Sequence, residues 1–347
     1  MEKISFADYV ELSSDLKNRE KFKAYSTVVR GRGGFDFRIV PNPELVVMTA
    51  EEVELENAMA IGNESERIAR KIAYTWDRIL SPGKPVIVSE GDSWFQFPLL
   101  IDEVIDHLND DYAILSLGAA GDTAQNMVFG PQGEHHTEYM SVLHALRNSV
   151  KAFLFSAAGN DIIGEDPATN RSALVDILNP YSGDTNDVAG HINETVLTKR
   201  LADIGAAYSK VISDVRADPD LAGLPILFHG YDYPYPYPWG AGDPRNPIYA
   251  RNDEWLGEAF AAKGFPHATE AERNLRRSIL KALINRLYTL LEGLAGNPDQ
   301  SRIWVVDCRG ALEHLGDWND EIHGTSAGFA KVAARFQDTL TGALVGV

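Results

Sequence analysis

Beyond residue 84 the chain reads as short unbroken apolar runs, separated by longer stretches whose apolar positions return every third or fourth residue. The runs are 85–90, Ala113 to Leu117, Ala152 to Ser156, Pro225 to His229 and Ile303 to Val306. A strand with one wet face alternates apolar and polar residues, so unbroken runs predict strands covered on both faces, as in a parallel sheet. The intervening periodicity predicts helices at about 98–109, 137–149, 196–216 and 269–294. The last is the best defined: Thr269-x-x-Glu272 is a capping box, and Leu275, Ile279, Leu283, Leu287, Leu290 and Leu294 keep one apolar stripe. Strands alternating with helices predict a doubly wound α/β domain, whose ligands lie outside the carboxyl ends of the strands.

Residues 1–84 follow another pattern. A β-like piece, Phe35 to Val40, is stopped by Pro41 and Pro43. A helical stretch runs from about Thr49 to Leu80, with Ile61, Ile68, Ile72 and Ala73 at helical spacing, and Ser81-Pro82-Gly83 punctuates its end. The expected organisation is an N-terminal extension over 1–84, its strand and helix packed on the core, followed by a main domain over 85–347. Two inserts interrupt that domain. One, at about 161–195, is polar and a candidate lid; the other, 231–267, opens on the aromatic and proline run Tyr231 to Trp239.

Composition narrows the function classes. Fifty acidic against 32 basic residues leave a net charge of -18, and no lysine or arginine run offsets it. Such a surface repels phosphate backbones, so nucleic acid is not an expected partner. No stretch approaches the ~20 consecutive apolar residues of a membrane-spanning helix. The first residues carry acids and no apolar core of signal type, so a cytoplasmic protein is expected. The single cysteine, Cys308, excludes an intrachain disulfide and a thiolate-rich zinc site.

Chemistry-bearing residues collect where strands should end. Gly91-Asp92-Ser93 follows the first run and Gly118-Ala119-Ala120-Gly121-Asp122-Thr123 the second. Ala157-Ala158-Gly159-Asn160-Asp161 follows the third, and Asp320-Glu321-Ile322-His323 lies beyond the last. Each alone is most simply a turn, a close approach or a helix start. Together they hold what acyl transfer needs. A serine hydroxyl requires a base, for which His323 is the candidate, and Asp320 would hold its tautomer and stabilise the imidazolium. The oxyanion needs donors, and the N–H groups of Ser93 and Gly121 with the Asn160 amide are available. Asp122 and Asp161 are expected to brace the turns carrying Gly121 and Asn160.

These four stretches, in this order, resemble the consensus blocks of the SGNH, or GDSL-type, hydrolases over residues 85 to about 340. The resemblance implies a flavodoxin-like sheet of five parallel strands, no metal or organic cofactor, and serine-esterase chemistry. It makes Ser93 the nucleophile, Asp320 and His323 its partners, and Gly121 (Gly118 as the fallback) with Asn160 the oxyanion donors. The implied substrate is a small-molecule, carbohydrate or lipid ester. Two positions depart from the pattern: Trp94 stands where the family name has leucine, and His323 is followed by Gly324 rather than proline. Trp94, Phe95, Tyr233, Tyr235 and Trp239 are the candidate substrate contacts, with core packing as the competing reading of the first two and a packed loop of the last three.

Other readings fit less well. A nucleophile elbow would need Gly-x-Ser-x-Gly, but Phe95 stands two residues after Ser93. The Gly31-x-Gly33-Gly34 stretch does not follow a strand and open a helix, as a dinucleotide fingerprint must. The adjacent His135 and His136 point to different faces, which suits a solvated loop better than a metal site. An acyltransferase using the same residues, and a catalytically silent member binding a ligand or partner, are the alternatives. Oligomeric state is not legible.

Overall fold

The computed structural model describes residues 2–5, 8, 9, 12, 19–30, 37–48, 63–97, 101–129, 138–166, 171–240, 243, 245 and 255–345. The five apolar runs form strands β1 (Val86–Gly91), β2 (Ala113–Ser116), β3 (Val150–Ser156), β4 (Ile226–His229) and β5 (Ile303–Val306). All pair in parallel, in the order β2-β1-β3-β4-β5. This is the flavodoxin-like order, whose switch point lies between β1 and β3. Every residue of β1 is buried. Successive side chains point to opposite faces, so both faces are covered, which is why the run lacks polar alternation.

The helices include α1 (Asn63–Leu80), α2 (Val104–Leu108), α3 (Ala124–Phe129), α4 (Glu138–Ala145), α5 (Glu194–Ala217), α6 (Glu270–Ala295) and α7 (Ser326–Ala343). Helices α5 and α6 pack together, α6 also meets β4 and β5, and α7 meets α2 and β5. The α6 capping box forms as expected: Thr269 accepts from the Glu272 N–H, and Glu272 accepts from the Thr269 N–H.

Several elements differ from the sequence reading. Helix α2 starts only at Val104, because Glu103 caps it by accepting the Ile105 N–H at 2.9 Å. Helix α7 was not foreseen, although Thr325 caps it and Phe329, Val332, Phe336 and Leu340 line its buried face at spacing three and four. The β-like piece is Phe37–Pro41, paired antiparallel with an unforeseen strand, Ser26–Arg30. Pro41 does not stop it but forms its last pair, where a missing N–H costs little. The insert at 161–195 is less polar inside than its sequence reads. Leu174 and Ile177 pack with Phe260, Phe265 and Ile279 in a second apolar cluster. Residues 49–62 of the predicted helix, 98–100, the Gly31–Gly34 stretch, His135, His136 and 246–254 lie outside the described residues.

Helix α1 is tied to the main sheet. It packs against β2. Arg70 donates to the Phe95 carbonyl at 2.8 Å and forms an ion pair with Glu103, both side chains being buried.

Candidate active site

The close contact of β1 and β3 sets the first turn. A Cβ on Gly91 would stand 2.7 Å from the Ser156 Cβ, so only glycine fits. The Asp92 carbonyl then accepts from the Phe95 N–H at 3.0 Å and the Gln96 N–H at 2.9 Å. This tight helical turn presents Ser93 at the carboxyl edge of the sheet.

Asp320 builds the loop that carries its own partner. One carboxylate oxygen accepts from the backbone N–H of Ile322 at 2.9 Å and of His323 at 2.8 Å. The other lies 2.8 Å from His323 Nδ1. His323 Nε2 lies 2.7 Å from Ser93 Oγ. With Nδ1–H donating to the carboxylate, Nε2 is left to accept the serine proton; the tautomer is inferred from these partners. Phe97 packs on the imidazole at 4.4 Å and Trp255 meets it edge-on at 5.9 Å, and the ring is fully buried. Burial alone would raise the Asp320 pKa, but the charge of His323, its hydrogen bond and the two N–H donors outweigh it and hold the carboxyl below its ordinary value.

The second and third blocks are stitched to each other. Ala158 is left-handed, with φ of 95°, an uncommon conformation for a residue with a Cβ, and it starts the turn carrying Asn160. Asn160 Nδ2 donates to the Asp122 carbonyl at 2.6 Å. Asp161 accepts from the first N–H groups of α3, at 2.8 Å from Ala124 and 3.3 Å from Gln125. Asp122 accepts from its neighbour Thr123 at 3.1 Å. Gly121, immediately before Asp122, has φ of 88°, which suits glycine. Among the described residues no hydrogen bond engages the N–H of Ser93 or of Gly121.

A cavity of about 100 Å³ adjoins Ser93 and Asn160. Of the five candidate substrate contacts, Trp94 alone lines it. Phe95 is fully buried and packs on His229 and Phe336, so it belongs to the core. Tyr235 lies under the Arg277 guanidinium, 3.4 Å from its ring centre, and donates to the Glu313 carbonyl. Trp239 meets Tyr235 edge-on at 4.8 Å, and Tyr233 donates to Asn285 at 2.7 Å. These three rings thus pack against α6 and its cations rather than lining this cavity, while Tyr231, Asp232 and Pro234 of the same run do line it.

Tyr231, at the head of that run, has a role the sequence did not disclose. It follows β4 and lines the cavity. Its hydroxyl donates to Asp92 and accepts from the Gly159 N–H at 2.9 Å, joining the first block to the third. Asp92 also accepts from Ser156 Oγ at 2.9 Å, which in turn lies 2.6 Å from His229 Nε2. Burial pushes the Asp92 carboxyl up to about 6, against the hydrogen bonds of Tyr231, the Trp94 N–H and Ser156, and lowers His229 to about 3. His229 is then neutral, and its Nε2–H, the Ser156 hydroxyl and Asp92 form a fully partnered chain beneath the serine turn. The signal was available: His229-Gly230-Tyr231 is a strand end like the other four.

No family model matches the chain, and no curated protein matches it. Solved structures do. A carbohydrate acetylesterase from Sinorhizobium meliloti aligns at 13% identity and TM-score 0.40, covering 75% of this chain and 99% of the other. An aryl esterase from M. smegmatis aligns at 13% and 0.37, covering 74% and 99%. An acetylxylan esterase from Geobacillus stearothermophilus aligns at 11% and 0.32, covering 74% and 94%. At these scores the likeness carries no weight for substrate or mechanism, which rest on the site's own atoms. In sheet order and in the chain order of its four motifs, the protein is similar to the SGNH hydrolases. Among the described residues no helix is long and apolar enough to cross a membrane.

Proposed function

We propose that the protein is a serine esterase of SGNH type, cleaving a carboxylic ester through an acyl-enzyme on Ser93. Ser93 Oγ attacks the ester carbonyl as His323 Nε2 takes its proton. The C–O bond to the alcohol then breaks, and the imidazolium returns the proton to the leaving oxygen. Water, deprotonated by His323, adds to the acyl-enzyme, and Ser93 leaves with that proton, freeing the acid. Asp320 holds the imidazole and stabilises its charged form. The oxyanion lies among the N–H groups of Ser93 and Gly121 and the Asn160 amide; that amide has two donors, and the Asp122 carbonyl occupies one.

A single observation carries the reading. Ser93 and His323, 230 positions apart, lie 2.7 Å apart, and the far imidazole nitrogen rests on a buried carboxylate. The test is hydrolysis of p-nitrophenyl acetate and longer esters by wild type, Ser93→Ala and Asn160→Ala. Loss of activity in the first variant is expected, and a roughly 100- to 1,000-fold lower kcat with little change in KM in the second. Equal background rates in wild type and Ser93→Ala across all the esters would leave a silent binding protein.

A further inference from the structure

The cavity beside Ser93 has two ends of different chemistry. At one stand Ser93, Asn160, Asp92 and Asp232. Two helix stripes wall much of the rest, Leu197, Leu201 and Ile204 from α5 and Leu280, Ile284 and Leu287 from α6, and the rings of Trp94, Tyr231 and Trp318 complete an apolar lining. The spacings, four and three on α5, four and three on α6, put each trio on one helical face. Both faces belong to the helices that pack on one another, yet a void of about 100 Å³ remains between the side chains. Here the void opens on the nucleophile.

Resting on the esterase reading, we infer that this cavity holds the acyl part of the substrate and that this part is a linear alkyl chain longer than acetyl. The aliphatic walls supply no hydrogen bonds of the kind a sugar or a charged acid would require in exchange for its water shell. An acyl chain needs none. Its carbonyl stays at the polar end, between Ser93 and Asn160, while successive methylenes pass between Leu201 and Ile284. A cavity well below the usual 300–1,000 Å³ of drug-sized sites favours a thin chain over a ring system.

Each methylene moved from water into such walls is expected to raise kcat/KM about fourfold, until the cavity is full. p-Nitrophenyl esters from acetate to dodecanoate, assayed below their micellar concentrations, read this directly. Hexanoate or octanoate is expected to exceed acetate by at least tenfold. Leu201→Trp and Ile284→Trp, both at partly buried positions, fill the cavity from either side and are expected to lower the octanoate-to-acetate ratio at least tenfold. Binding of decanoate to wild type, followed by calorimetry, gives a second readout independent of turnover, and weaker binding is expected in both variants. Acetate turned over as fast as octanoate by an enzyme silenced by Ser93→Ala would overturn the alkyl assignment and leave the esterase intact. Unaltered chain preference in both folded tryptophan variants would overturn it too. Decanoate binding weakened by the variants, with no ester hydrolysed, would uphold the alkyl cavity and overturn the esterase.

Discussion

Trp94 Nε1 donates to the Ile322 carbonyl at 2.9 Å, so the residue after Ser93 is bonded to the residue before His323. Nucleophile and base sit on loops with no covalent reason to meet, and this bond registers one loop on the other. Trp94→Phe keeps an aromatic body against Tyr231 and Phe329 but removes the donor. The expected result is a stability loss of about 1 kcal/mol with an ester kcat lower by about tenfold and little change in KM. Unchanged kcat in a destabilised variant would make Trp94 a packing residue only.

Asp161 acts on the second block from the third. Its carboxylate holds the first N–H groups of α3, the helix that follows Gly121 and Asp122. Asp161→Ala is expected to cost about 1 kcal/mol, as a lost cap does, and to lower kcat by releasing the Gly121 turn. Asp161→Asn, which keeps one acceptor, should recover most of both in urea unfolding and steady-state assays.

Glu321 predicts a pH dependence of stability. Burial pushes its carboxyl up to about 8, against the Tyr237 N–H, the Arg245 charge and the Leu256 N–H. In the unfolded chain the same carboxyl ionises near 4.5. The native state therefore keeps a proton that the unfolded state releases. The contribution is complete below the unfolded value and is lost as pH rises through the folded one. Between pH 5 and 8 this group should lower the unfolding free energy by up to ~1.4 kcal/mol per pH unit. Glu321→Gln should flatten the profile by that slope, whatever it does to absolute stability; parallel profiles would refute the assignment.

Arg70 tests whether α1 is integral to the site. It is buried against Glu103 and donates to the Phe95 carbonyl, two residues from Ser93. Removing one partner of a buried pair strands the other, so Arg70→Leu is expected to cost about 3–5 kcal/mol in chemical denaturation. The double variant Arg70→Leu with Glu103→Leu should regain part of it, less the ~1 kcal/mol of the α2 cap that Glu103 supplies. A loss below ~1 kcal/mol in the single variant would mean that α1 is an appendage.

The strands were legible because burial on both faces leaves a local mark, an unbroken apolar run. Helix α6 was legible because its cap and its stripe lie within the element itself. Helix α7 carries the same kind of mark, a cap and an apolar stripe, and the strand Ser26–Arg30 a weaker one. What the sequence did not yield depends on neighbours remote along the chain. Phe95, Tyr233, Tyr235 and Trp239 are as aromatic as Trp94, and nothing local separates a ring that lines a cavity from one pressed against Arg277 or Phe336.

By itself the sequence determined the α/β class, the sheet, three motif stretches at its strand ends and a fourth beyond the last strand, because these follow from periodicity and residue type within short windows. Only the tertiary structure decided that Ser93 Oγ meets His323 Nε2, that Tyr231 couples Asp92 to Gly159, and that α5 and α6 leave an apolar void beside the serine. The physical reason is range. A hydrogen bond or a cavity wall depends on positions fixed to within an ångström, and packing between elements sets those positions, not the residues on either side in the chain.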